Sequence, residues 1–112
     1  MGHVMVAQTF EPKAFEKKAA EVAGVMSALA NERRLMILCK LVEWGEANVK
    51  SLAEAVGLSQ SALSQHLAKM RSEGLVTFRR ESQTLWYRIA DSRIEELFAR
   101  LHRLYCRPGR SR

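Results

Sequence analysis

Hydrophobic positions in the first part of the chain recur at steps of three and four. Phe15, Ala19, Val22, Val25, Met26 and Leu29 follow this spacing after Pro12, a residue suited to a first helical turn, and predict a long amphipathic helix over residues 12–30. Asn31 is placed to cap a second helix reaching Trp44, with Leu35, Leu38, Cys39 and Val42 on one stripe and Gly45 at its end. Asn48 is placed to cap a short third helix that turns Leu52, Ala53 and Val56 inward, and Gly57 supplies the turn after it. Ser59 then caps a fourth helix over residues 60–72, closed by Gly74. From Leu75 to Ile89 the period becomes two: Leu85, Tyr87 and Ile89 alternate, and Glu81-Ser82-Gln83 separates two strand-like runs, so a β-hairpin is expected. Asp91 or Ser92 opens a last helix with Ile94, Leu97, Phe98, Leu101 and Leu104 on one side.

This order of elements, with a tight glycine turn between the third and fourth helices, predicts a mostly α fold with a β-hairpin wing, a winged helix-turn-helix. The expected organisation is a flexible N-terminal segment at 1–11, one DNA-binding and dimerisation domain at 12–106 and a basic tail at 107–112. The first and last helices carry more apolar surface than a chain of 112 residues easily covers alone, which points to a homodimer built through them, with a monomeric core as the alternative.

The fourth helix is the informative one. Leu63, Leu67 and Met70 stack on one side, while Ser61, Ser64, Gln65 and Ala68 point the other way and Gln60 stands at the N-terminal end. Short side chains let a helix enter a major groove about 12 Å wide, and Ser and Gln both donate to and accept from base edges. The free amides behind Ser59 and the positive helix end favour phosphate. A solvated polar face is the plainer reading of the same residues. His66 lies beside the buried stripe, where packing or hydrogen bonding is its expected work and base reading the alternative. On the hairpin, Arg79, Arg80 and Arg88 are candidates for phosphates or the minor groove.

Charge sharpens the choice of partner. Eighteen Lys and Arg against twelve Asp and Glu give a net +6, which favours a polyanion, double-stranded DNA first. Residues 2–10 are too short and too polar for a signal peptide, and no apolar run approaches the roughly 18 residues of a membrane span, so a cytoplasmic protein with no membrane partner is expected. No nucleophile, base and orienter set, phosphate loop or carboxylate pair stands out, so no enzyme and no cofactor are expected.

The words ALANERRLMIL and VKSLAEAVGLSQSALSQHLAKMRSEGLVTFRRESQTLWYRIAD, with the spacing between the helix-turn-helix and the RR-turn-Y hairpin, resemble the ArsR/SmtB family of bacterial repressors from about Val25 to Asp91. Ser82 stands where the family often has Gly in the wing turn. The resemblance implies a homodimer that represses by occupying a promoter palindrome. The family's metal sites are not kept. The third helix has no Cys, His or Asp, and the last-helix site retains Asp91 but has Arg93, Leu104 and Arg107 at its other positions. No metal ligand is assigned, although Cys39, His102 and Cys106 leave a metal- or metalloid-responsive repressor open.

Two thiols remain, Cys39 on the second helix and Cys106 near the end of the last. This pair resembles the BigR/SqrR branch of the family, and the resemblance implies a dithiol switch in which persulfide or another oxidant joins the two cysteines, the dimer leaves its operator, and sulfide-detoxification genes are expressed. Arg107, Arg103 and His102 beside Cys106 favour its thiolate, whereas a helix C-terminus opposes it. Cys39 also reads as a small core residue. A nonspecific architectural DNA protein is the third possibility.

Overall fold

The computed structural model describes residues 12–105. The expected N-terminal segment, Cys106 and the basic tail lie outside the described residues. The chain divides into two compact units between Asn31 and Glu32. Among its described residues the first carries the helix α1 (Pro12–Leu29), on which Leu29 is buried while Phe15 and Met26 are exposed.

The second unit runs through α2 (Glu32–Trp44), α3 (Val49–Val56), α4 (Gln60–Ser72), β1 (Val76–Glu81), β2 (Thr84–Ile89) and α5 (Ser92–Tyr105). Local chemistry sets most of its boundaries. Gly45 (φ 84°) ends α2, and its N–H reaches the Leu41 carbonyl at 2.8 Å. Asn48 caps α3 by accepting from the Ser51 N–H at 2.8 Å, and Gly57 closes the helix in the left-handed region, φ 73°. Asp91, rather than Ser92, caps α5: its carboxylate accepts from the Arg93 N–H at 2.8 Å. The Arg93 guanidinium, 2.9 Å away, is the main reason the Asp91 pKa falls to about 2, with the Arg93 backbone N–H assisting.

Helices α2–α5 and the inner face of the hairpin share one core. Ile37, Leu38 and Leu41 of α2, Leu52, Ala53 and Val56 of α3, Leu63, Leu67 and Met70 of α4, Val76, Tyr87 and Ile89 of the hairpin, and Ile94 and Phe98 of α5 are all buried. Each large apolar side chain removed from water contributes roughly 1.5–3 kcal/mol. The burial of α2 departs from the expected stripe. Leu38 is buried, but Leu35 is exposed and Cys39 and Val42 are only half-buried, because the helix is rotated to turn Arg34, Ile37 and Leu41 inward.

The strands are antiparallel, with Val76 opposite Ile89 and Glu81 opposite Thr84, and Ser82-Gln83 form a two-residue turn. Ser82 takes φ 60° there, the left-handed conformation that Gly adopts without strain. Between α2 and α3 the chain adds a short third rung: Ala47 and Tyr87 exchange backbone hydrogen bonds of 3.0 and 2.8 Å. A helix-turn-helix of α3 and α4 backed by this sheet is the expected winged architecture.

Arg34 is a buried cation on α2, and Glu73, the C-terminal cap of α4, is its partner. Its Nη1 donates to Oε1 at 2.7 Å and its Nη2 to Oε2 at 3.3 Å. A carboxylate is unfavourable at a helix C-terminus, so Arg34 offsets the dipole as well as its own burial. Replacing Arg34 with Met should cost about 1–2 kcal/mol at neutral pH, read from the urea midpoint, the low end for charged hydrogen bonds because Glu73 remains partly solvated. The hydrogen bond from Arg34 holds the Glu73 carboxyl below its ordinary value of 4.5. The pair's contribution is therefore complete above pH 4.5 and lost as pH falls through the lowered pKa, and the variant should lack that part of the acid sensitivity.

Candidate nucleic-acid interface

Helix α4 begins where Ser59, extended at φ −69° and ψ 159°, accepts from the Ala62 N–H at 3.1 Å. Its Oγ also lies 3.4 Å from the Ser61 Oγ. With the start fixed and Leu63, Leu67 and Met70 fully buried, the helix has one rotation, and Gln60, Ser61, Ser64, Gln65 and Ala68 are exposed. The expected outward face is thus presented as one surface. His66 is half-buried and borders a shallow hollow with Ala62, Gln65 and Lys69.

Gln60 and Ser64 also line a groove of about 510 Å³ that runs from α4 to the hairpin turn, with Asn48, Val49 and Lys50 on one side and Gln83, Thr84 and Leu85 on the other. Lys50 and Gln83 did not stand out in the sequence. Lys50 is one surface cation among many and Gln83 one residue of a turn; only the fold brings them to the same groove as Gln60.

The two wing arginines are not equivalent. Alternation along β1 sends Arg79 and Arg80 to opposite faces. Arg79 binds Glu46, with Nη2 to Oε1 at 2.7 Å and Nε to both carboxylate oxygens at 3.2 Å. The Arg80 side chain is exposed and makes no hydrogen bond or ion pair among the described residues.

Cys39, half-buried on α2, lines an open hollow of about 270 Å³ with Leu35, Met36, Ala55 and Val56, and with Glu32 and Lys40. Cys106, its expected partner, lies outside the described residues. Asp91 and Arg93, at two positions of the family's last-helix metal site, form an ion pair with each other. No group of three or more His, Cys, Asp or Glu side chains among the described residues is arranged to hold a metal. No helix among them is long and apolar enough to cross a membrane.

A helix-turn-helix whose second helix presents a short polar face beside a hairpin wing defines a winged-helix DNA-binding regulator. The chain belongs to the arsR family of bacterial regulatory proteins, which its residues 31–77 match. It is 47% identical over 91 residues to the transcriptional activator HlyU of Vibrio cholerae, covering 81% of this chain and 83% of that protein. A solved structure of reduced HlyU from Vibrio cholerae superposes with a TM-score of 0.77 at 45% identity, over 85% of this chain and 99% of that one. The transcriptional repressor BigR of Xylella fastidiosa superposes with a TM-score of 0.76 at 35% identity, over 87% of this chain and 98% of that one.

Removing the cap hydroxyl tests the placement of α4. Ser59→Ala should destabilise the protein by about 1 kcal/mol in a urea titration and raise amide exchange in the first turn of α4, while Leu63 and Leu67 keep its later turns protected.

Proposed function

We propose that the protein is a cytoplasmic, homodimeric repressor that reads a twofold-symmetric operator with α4 and releases it when Cys39 and Cys106 are joined by reactive sulfur. The observation that carries the DNA-reading half is the exposed face of Gln60, Ser61, Ser64 and Gln65 opposite a fully buried stripe, with Gln60 and Ser64 in a groove shared with the wing turn. In this reading Gln60, Ser64 and Gln65 contact base edges, the Ser59 turn and Arg80 contact phosphate, and His66 braces the helix from its side. The dimer is supported by apolar residues exposed on the chain-end helices, Phe15 and Met26 on α1 and Leu104 and Tyr105 on α5, the last two at 70% and 82%.

The sensing half is supported by the Cys39 hollow, which is open to a small molecule and lined largely by apolar side chains, and by likeness to BigR and to a HlyU structure described as reduced. The chemistry balances with persulfide as oxidant. One cysteine thiolate attacks the outer sulfur of the persulfide and displaces a thiolate, becoming a cysteine persulfide itself. The second thiolate attacks the inner sulfur and expels hydrosulfide, leaving a disulfide; further persulfide equivalents give a longer bridge. A metal- or metalloid-responsive repressor remains the competing reading for the same cysteines.

Two measurements test the proposal. Changing Gln60, Ser64 or Gln65 to Ala should cost about 1–3 kcal/mol on the operator and much less on random duplex, whereas equal losses on both would remove these residues from base readout. Cys39→Ser and Cys106→Ser should each bind DNA when reduced and no longer release it after persulfide treatment. Release by either variant as by the parent, or a parent that stays on DNA after persulfide treatment but leaves it with arsenite or cadmium, would refute the dithiol switch.

A further inference from the structure

The wing and the connection between α2 and α3 are joined twice. Ala47 and Tyr87 pair through the backbone, and Glu46, which precedes Ala47, meets Arg79, the β1 residue opposite Trp86, on the outer face of the sheet. Arg79 has its donors engaged there. Its Nη2 and Nε serve Glu46, its Nη1 lies 3.5 Å from Glu81, and its guanidinium lies over the Trp86 ring, 5.8 Å from the centroid, across the strand pair. The Glu46 carboxyl is held below its ordinary value by the Arg79 hydrogen bond, with the charges of Arg79 and Arg88 assisting. A guanidinium bound this way adds little to the field met by an approaching duplex, because its charge is cancelled within the pair.

We propose that Glu46 is a positioning residue for DNA binding: it holds Arg79 on the protein as a strut of the wing and withholds it from phosphate, leaving Arg80 as the wing's phosphate contact from β1. The inference rests on the wing lying against DNA, as in the functional reading above, and is independent of the thiol switch. A basic strand pair beside a reading helix makes any duplex attractive. Neutralising one of its cations lowers the part of the affinity that carries no sequence information.

The test is the salt dependence of binding to a random-sequence duplex, followed by fluorescence anisotropy. Glu46→Gln keeps the side chain's size and removes its charge. It should free Arg79, steepen the slope of log affinity against log salt by about 0.9 and tighten binding on the order of 5- to 10-fold at about 0.1 M salt. Arg79→Ala should leave the slope unchanged, while Arg80→Ala should flatten it by about 0.9. The Glu46–Arg79 pair is exposed at 33% and 50%, and exposed pairs add little stability, so these variants should fold. The double variant Glu46→Gln with Arg79→Ala separates a freed arginine from the simple loss of a negative charge, and should return to the parent slope. The proposal fails if Arg79→Ala flattens the slope as Arg80→Ala does, if Glu46→Gln keeps the parent slope, or if the double variant stays as steep as Glu46→Gln alone.

Discussion

Helix α4 is held from one side only. Leu63, Leu67 and Met70 are the whole of its buried stripe, and all three are removed from solvent completely. Burial along that line fixes the rotation of the helix, and the ends fix its reach: the Ser59 cap at the start, and at the finish the grip of Arg34 on Glu73. Neither end contact is large in energy beside the core. Their importance is directional, since a turn of the helix by one residue would replace Ser64 by a leucine on the presented face.

What could be read from the sequence was the chemistry that acts over a few residues. The Asn48 and Ser59 caps, the Gly57 turn and the 63-67-70 stripe are each settled by near neighbours, and each lies where the pattern put it. The hairpin was legible from its change of period, and Ser82 takes the left-handed conformation usual for Gly. The inward face of α2 was not legible. Leu35, Met36, Ile37, Leu38, Leu41 and Val42 surround that helix with apolar residues, so spacing alone cannot choose a side. The choice is made by contacts far along the chain, including a charged residue whose partner is 39 positions away. The same distance effect hides the difference between Arg79 and Arg80. They are neighbours in sequence and alike in type, and a glutamate 33 positions earlier gives one of them a partner. Lys50 and Gln83 belong to the candidate site for a reason no local pattern carries, since a groove is a property of the surface.

The rotation of α2 has a second effect. Turning Arg34, Ile37 and Leu41 inward leaves Leu35, Met36 and Cys39 along an open hollow against α3. One side of α2 thus steadies the end of α4 while another carries a half-buried thiol next to the first helix of the helix-turn-helix. A change of packing in that hollow bears on the same short helix that precedes α4 by a three-residue turn, Gly57 to Ser59.

The rung between Ala47 and Tyr87 also gives the wing a gradient of stiffness. At its base three stretches of backbone lie side by side, the two strands and the Ala47 rung, and a little further out Arg79 ties β1 to the connection before α3. Beyond Trp86 only the two strands and their turn remain. Such a hairpin bends like a beam clamped at one end: the outermost residues can shift while the clamped end and the helix beside it stay where they are. With the wing against DNA as proposed, variation in the width of the double helix is absorbed at the tip and is not passed on to α4.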